Sequence, residues 1–197
     1  SLWEVVSDGL DWIQVGKDHK LHAWWLPSPQ ARATIVHAHG NAQNIGHHLP
    51  FVAWLPAAGF NVLTFDYRGF GQSAGAPSLQ GVVQDLRAAI AQARLQAPGA
   101  RLVLLGQSLG GATAIRAAAQ EQQAGAQDIA ALVADSPFAS YRGIAQDAAS
   151  RGPLGWIAPL AAKVSGHVVS LTIQDNKPVK AGEVLLRIDP RDYQAKV

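Results

Sequence analysis

The chain has 197 residues, of which 48% are hydrophobic and 15% are charged, so it can bury a sizeable core and an intrinsically disordered chain is excluded. Sixteen Lys and Arg residues against fourteen Asp and Glu residues give a net charge of +2, and the charges are interspersed, which argues against a nucleic-acid partner. Because the chain has no cysteine, catalytic chemistry must come from serine, histidine and carboxylates.

No apolar run approaches the roughly 18 residues that a membrane helix needs, so the segment as written is expected to be soluble. The segment begins at Ser1 without a signal-peptide pattern and contains no methionine, which is typical of a trimmed segment. An anchor or signal further upstream is left open, as is the compartment, with the bacterial cytoplasm and periplasm both compatible. The sequence does not indicate an oligomeric state.

Strand-like and helical segments alternate along the chain, which predicts an α/β fold with a mostly parallel sheet and helices on both faces. The first two strands differ, because residues 11–15 and 21–26 flank a short turn at Gly16 and form an expected antiparallel hairpin. The pattern then predicts strands at residues 33–38, 61–65, 102–105 and 129–134, and helices at residues 49–58, 79–97 with Ser78 as N-cap, and 108–122.

After residue 153 the pattern changes, because the chain shows two short strands and turn residues without a helix between them. The strands are predicted at residues 167–173 and 183–188. We therefore expect a domain boundary near Lys163. It would separate an α/β core that stops after its sixth strand, residues 1–163, from a β-rich tail, residues 164–197.

The segment Gly106-Gln107-Ser108-Leu109-Gly110 lies between a predicted buried strand and an Ala-rich helix, which is the setting of a nucleophile elbow. Such a turn strains the serine backbone and leaves no room for side chains at the two glycines. The amino end of the helix favours a developing oxyanion, with the Leu109 N–H as first donor. The sequence thus predicts Ser108 as a nucleophile, and a purely structural tight turn is the simpler alternative.

Three further motifs accompany the elbow in a characteristic order. Two precede it and one follows, and each begins at the end of a predicted strand. They are His39-Gly40-Asn41, Phe65-Asp66-Tyr67-Arg68-Gly69-Phe70-Gly71-Gln72-Ser73 and Ala134-Asp135-Ser136-Pro137-Phe138.

Together these motifs resemble the α/β-hydrolase superfamily, and more narrowly the serine hydrolases related to Bem46, the ABHD12/13-type lipid hydrolases and S33-type peptidases. The resemblance implies that Ser108 transfers an acyl group from an ester, thioester or amide to water. It also implies an oxyanion hole formed by the N–H groups of Asn41 and Leu109. A small-molecule acyl substrate is expected, and no cofactor.

This fold orders its triad as serine, acid and histidine along the chain. The only histidine after Ser108 is His167, which opens a predicted tail strand, and Asp135 ends the sixth predicted strand. These two residues are the candidate base and acid. In the family, however, Asp-Ser-Pro-Phe is usually a structural turn and the base lies beyond the last strand. We therefore expect impaired hydrolysis.

The tail has a resemblance of its own. Residues 164–169, 175–185 and 187–190 are similar to HlyD/EmrA-type membrane-fusion (periplasmic adaptor) proteins, in which such a stretch forms half of a lipoyl-like barrel-sandwich domain. The resemblance implies a fusion near Lys163 and a second hypothesis, a non-catalytic binding protein that uses the hydrolase scaffold or the tail for contacts. The alternative is that these strands are the last two of the hydrolase sheet.

Two other patterns have structural interpretations. Four histidines at positions 37, 39, 47 and 48 suit a zinc site in number, but no Asp or Glu lies among them, so no metal is expected. Residues 69–74 fit a loose dinucleotide-binding pattern, but Pro77 interrupts it before the next helix.

Overall fold

The computed structural model describes residues 12–17 and 19–137, and the backbone of two short strands, Val168–Leu171 and Leu186–Ile188. The chain divides into two compact units, Ser1–Pro137 and Phe138–Val197. The boundary predicted near Lys163 falls among residues outside the described part of the chain, so it stays a prediction.

The first unit is built on a six-stranded sheet with the order β1-β2-β4-β3-β5-β6. β2 pairs antiparallel with β1 and β4, whereas the pairs β3·β4, β3·β5 and β5·β6 are parallel. The predicted hairpin and the mostly parallel sheet are thus confirmed. The strands are β1 Trp12–Val15, β2 His19–Leu26, β3 Ala33–Ala38, β4 Phe60–Phe65, β5 Leu102–Gln107 and β6 Ile129–Asp135.

Three helices connect the parallel strands: α1 (Ile45–Val52), α2 (Leu79–Gln96) and α3 (Leu109–Gln123). α2 and α3 pack against each other, and the right-handed rule for parallel crossovers puts α1 on the opposite face of the sheet. Within residues 12–137, no helix is long and apolar enough to cross a membrane.

Both faces of the sheet are buried by these helices. On the α1 face, Leu49 and Val52 pack in a cluster with Ile35 of β3 and Val62 of β4. On the other face, α2 buries the stripe that its spacing predicts, and Ser78 caps it by accepting from the Gly81 N–H at 3.0 Å. The buried residues of that stripe are Val82, Val83, Leu86, Ile90 and Ala93.

The position of α1 differs from the prediction of a helix over residues 49–58. The helix begins earlier because Asn44 is its N-cap, with Oδ1 accepting from the Gly46 N–H at 3.0 Å. It ends at Val52, and Pro56 disfavours helical backbone at the residue before it. Turns then lead to Gly59, whose φ of 85° reverses the chain into β4.

The sheet order creates a crevice at one edge. β4 and β5 lie on opposite sides of β3, so the connections after β3 and β5 leave in opposite directions. In open α/β sheets, ligands bind outside the carboxyl ends of the strands at such a switch point. The loop after β3 and the segment after β5 meet there.

In the second unit, β7 (Val168–Leu171) and β8 (Leu186–Ile188) pair antiparallel. Both lie within the strands predicted for the tail. The turns predicted between them lie outside the described residues.

Candidate active site

Ser108 occupies the single position between β5 and α3 and has a strained backbone. Its φ is 49° and its ψ is −108°, a region that residues with a side chain rarely adopt and that costs about 1–3 kcal/mol. Its carbonyl accepts from the Ala112 N–H at 3.1 Å as α3 begins. The predicted strand-to-helix elbow with a strained serine is confirmed.

The glycines around Ser108 allow the backbones to approach closely. A Cβ on Gly110 would overlap the Ala38 carbonyl and lie 2.7 Å from the His39 oxygen. A Cβ on Gly106 would lie 2.6 Å from the Gly111 nitrogen and overlap the Gly110 carbonyl. Real Cβ atoms do not approach other atoms so closely, so the predicted clashes are confirmed. The amino end of α3 therefore lies directly against the end of β3.

The loop after β3 borders the elbow at Gly40. A Cβ on Gly40 would lie 3.9 Å from the Ser108 Cβ and 3.7 Å from the Gln107 oxygen. Asn41 follows Gly40 and is exposed, whereas Leu109 is buried at the first position of α3. The two predicted oxyanion donors thus lie on segments that meet at Ser108.

The structure describes the candidate acid, Asp135, but not the candidate base, His167. The carboxylate of Asp135 is exposed at the end of β6 and accepts from the Ser136 Oγ at 3.0 Å, while its carbonyl accepts from the Ser108 N–H at 2.8 Å. His167 lies outside the described residues. Among the residues that the structure describes, none forms a hydrogen bond with the Ser108 Oγ.

His37 is fully buried on β3 and contacts the residue before the nucleophile. Its Nδ1 lies 2.9 Å from the Thr64 Oγ1 and its Nε2 3.4 Å from the Gln107 Oε1. The amide oxygen only accepts, so Nε2 carries the proton and the Thr64 hydroxyl donates to Nδ1. Burial lowers the pKa of His37 to about 3, and the neighbouring His39 adds to this effect. The ring is therefore neutral at pH 7.

Asp66 follows β4 directly and organises a buried polar cluster that the sequence analysis did not assign. Its Oδ1 accepts from the Ile45 N–H at 2.8 Å and lies 3.5 Å from the His39 Nε2, and its Oδ2 lies 3.3 Å from the His22 Nδ1. Burial alone would raise the pKa of the Asp66 carboxyl, but His39, the Ile45 N–H and His22 together hold it below its usual range. Its place in the sequence could have identified Asp66, because a carboxylate directly after a buried parallel strand lies at the sheet edge where ligands bind.

The histidines near the elbow have partners other than a metal. In residues 12–17 and 19–137, no three His, Asp or Glu side chains are arranged as ligands of one ion. The His39 ring stacks on His48 with centroids 5.2 Å apart, and each donates to a nearby main-chain carbonyl. The exposed His47 pairs with the capping Asn44 at 3.1 Å.

Residues 29–182 match the family described as serine aminopeptidase, S33. The match covers more than half of the chain, includes the loop after β3 and the turn at Ser108, and continues beyond Lys163 through β7.

The curated relatives share the same region. The chain is 47% identical over 133 residues to the uncharacterized protein YfhR of Escherichia coli O157:H7, covering 64% of this chain and 46% of YfhR. It is 36% identical over 119 residues to the protein bem46 of Schizosaccharomyces pombe, covering 58% of this chain and 38% of bem46. The chain thus spans less than half the length of these two relatives.

Among solved structures, the esterase Pf2001 of Pyrococcus furiosus has a similar fold, with a TM-score of 0.63 and 24% identity over 77% of this chain and 60% of the esterase. A second crystal form of that esterase gives 26% identity and a TM-score of 0.59, over 75% of this chain and 56% of the esterase. The mostly parallel sheet with helices on both faces is therefore the α/β-hydrolase fold. With its family match extending over residues 29–182, the chain belongs to the serine aminopeptidase family S33.

Proposed function

We propose that this chain is a serine hydrolase in which Ser108 transfers the acyl group of a small ester, thioester or amide to water. The serine oxygen attacks the carbonyl carbon, the leaving group departs with a proton, and water then releases the acyl group. The observation that carries this proposal is the strained backbone of Ser108 between β5 and α3. Strain of this kind persists only where the surrounding structure enforces it, and it clusters at active sites.

The surroundings of Ser108 support an oxyanion hole. α3 starts at the next residue and directs its free N–H groups and the positive end of its dipole toward the serine. Gly40 brings the loop after β3 alongside, and Asn41 follows it. We assign the N–H groups of Leu109 and Asn41 as the two donors, each expected to contribute about 10²–10³-fold to kcat.

The class of acyl substrate is proposed from the relatives. A family described as serine aminopeptidase favours an amide, whereas the esterase Pf2001 favours an ester. Both reactions pass through the same tetrahedral oxyanion, so both fit the site. We infer that activated esters are the better probes, because their leaving groups do not need a proton from the enzyme.

We infer that turnover by this chain is slow. Asp135 and His167 are the candidate acid and base after Ser108, but the Asp135 carboxylate is exposed and bound to the Ser136 hydroxyl. A serine without its base retains roughly 10³–10⁴-fold acceleration over water from the oxyanion hole and binding.

The adaptor-like nature of residues 164–197 and the fusion near Lys163 form a separate hypothesis. The family match continues to residue 182 and so includes β7, which favours the alternative for that strand, whereas β8 lies beyond the match.

The test is hydrolysis of p-nitrophenyl acetate by the wild-type chain, by Ser108→Ala and by Ser28→Ala. Ser28 is a matched control because it lies in the loop between β2 and β3. Its hydroxyl donates to the Pro56 carbonyl. We expect slow hydrolysis that Ser108→Ala abolishes and Ser28→Ala leaves unchanged. Equal rates in the wild-type chain and Ser108→Ala would refute the proposal. Turnover typical of intact esterases, still dependent on Ser108, would refute only the inference of slow turnover.

A further inference from the structure

The loop between β3 and α1, residues 40–44, needs support from outside itself. Its residues Asn41, Ala42 and Gln43 are exposed, so burial does not hold them in place. Gln43 also has a φ of 63°, which is unfavourable for a residue with a side chain. A loop that presents a catalytic N–H must nevertheless have one well-defined conformation.

Two histidine rings supply that support. The His39 Nδ1 lies 2.7 Å from the Gly40 carbonyl oxygen, and the His48 Nε2 lies 3.0 Å from the Ala42 carbonyl oxygen. A carbonyl oxygen only accepts, so each of these ring nitrogens carries a proton and donates. The rings stack with centroids 5.2 Å apart and an interplanar angle of 26°, which fixes His48 relative to the buried His39.

These bonds determine where the N–H of Asn41 points. That N–H belongs to the same peptide unit as the Gly40 carbonyl, and no described peptide bond is cis. In a trans peptide the N–H and C=O point in opposite directions, so the bond to the Gly40 oxygen sets the direction of the Asn41 N–H. The bond to the Ala42 oxygen holds the Ala42–Gln43 peptide, two units further along, so the loop is bonded on both sides of Asn41.

His48 also lies close to the elbow. Its Cε1 is 3.9 Å from the position that a Cβ on Gly40 would take, and the Ser108 Cβ is 3.9 Å from that same position. The His48 ring and the nucleophile therefore flank Gly40. A displacement of this ring would shift the loop of residues 40–44.

We propose that His48 is a positioning residue of the oxyanion hole, which acts by donating from Nε2 to the Ala42 carbonyl. This inference rests on the proposed function, because it concerns the loop that presents the Asn41 N–H. The competing role is that of a base, in which the other ring nitrogen would take the proton of Ser108. The two roles differ in what a substitute side chain must provide.

Two substitutions separate these roles. His48→Gln keeps a donor N–H at the same number of bonds from Cα but has no basic ring nitrogen. His48→Phe keeps the ring and its stacking on His39 but has no donor. Trp54→Phe is the matched control, because it also removes a ring N–H that donates to a main-chain carbonyl, here that of Phe51, which lies outside the loop. Ser108→Ala gives the background rate, and thermal unfolding confirms that each variant is folded.

For p-nitrophenyl acetate, we expect His48→Phe to lower kcat about tenfold with KM within about twofold, because a misdirected donor loses part of its transition-state contribution. His48→Gln should restore kcat to within about threefold of wild type, and Trp54→Phe should leave it unchanged. Unchanged kcat in His48→Phe would overturn the positioning role, and equal losses in His48→Phe and His48→Gln would point to the base instead. If hydrolysis is the same in Ser108→Ala and wild type, the proposed function itself fails, which this design reports separately.

Discussion

The main-chain N–H of Ser108 donates to the carbonyl oxygen of Asp135 at 2.8 Å, so the elbow is tied to the end of β6 through the backbone. The bond continues the parallel ladder in which Gln107 pairs with Asp135. It also occupies the N–H of Ser108 itself, so this N–H is not one of the free N–H groups at the amino end of α3.

Because this contact uses only main-chain atoms, we predict that the Asp135 side chain is not required for hydrolysis. Asp135→Asn preserves the carbonyl that holds Ser108 and a side-chain oxygen for the Ser136 hydroxyl. We expect p-nitrophenyl acetate hydrolysis within about threefold of wild type, since surface substitutions of this kind change free energies by only about 0.5 kcal/mol. A loss of about 10⁴-fold, as removal of a triad carboxylate charge causes, would instead identify Asp135 as the catalytic acid.

The close approach of α3 to β3 predicts a severe effect of Gly110→Ala. The added methyl group would overlap the Ala38 carbonyl, so α3 or the end of β3 must shift. We expect a loss of about 3 kcal/mol in the free energy of unfolding, measured with urea, and weaker hydrolysis. Gly125→Ala is the control, because Gly125 has a φ of 88° and nothing within 4 Å, so only backbone strain of about 1–2 kcal/mol applies. Equal stability of the two variants would contradict the packing described for Gly110.

The buried His37 predicts a pH-dependent loss of stability. Its pKa in the folded chain is about 3, below the usual value of 6.5, so the unfolded chain binds a proton between these values and the folded chain does not. Stability is therefore fully present above about pH 6.5 and falls as the pH drops toward 3, by up to about 1.4 kcal/mol per pH unit from this residue. His37→Gln should flatten this slope in urea unfolding at pH 7, 6 and 5. A slope unchanged in His37→Gln would contradict the assignment.

The loop that follows β4 is held by a buried ion pair. Asp85 is fully buried on α2 and accepts from the Arg68 N–H at 2.9 Å and from its guanidinium Nη2 at 2.6 Å. Asp85→Ala leaves a largely buried guanidinium without its carboxylate, so we expect a loss of about 3–5 kcal/mol in the free energy of unfolding. Asp128→Ala removes a partly exposed partner of Arg94 and should cost at most about 1 kcal/mol. Similar losses in the two variants would contradict this difference.

The strands and the elbow could be predicted because their signals are local. β3 matches its prediction at both ends, and the glycines around Ser108 indicate a close backbone approach without any knowledge of its partner. The start of α1 could not be predicted as easily, because its cap, Asn44, precedes Gly46, a residue that disfavours helices.

The histidine and carboxylate cluster depends on contacts between distant segments. Asp66 meets His39 across 27 positions of sequence only because β3 and β4 are parallel neighbours whose last residues, Ala38 and Phe65, are in register. The stack of His39 on His48 likewise requires the turn at residues 40–44. The absence of Asp and Glu among the four histidines already argued against zinc, but the sequence could not indicate which main-chain groups the rings contact.

The central claim, that Ser108 is an acyl-transfer nucleophile, is tested most directly by a fluorophosphonate probe. Such probes phosphonylate a serine oxygen that its surroundings activate, and the strained turn and the oxyanion donors proposed for Ser108 provide part of this activation even without the base. We predict a single adduct that mass spectrometry of the proteolysed chain places on Ser108, absent from Ser108→Ala and retained in Ser28→Ala. A folded wild-type chain that gains no adduct, or an adduct that persists in Ser108→Ala, would contradict the account.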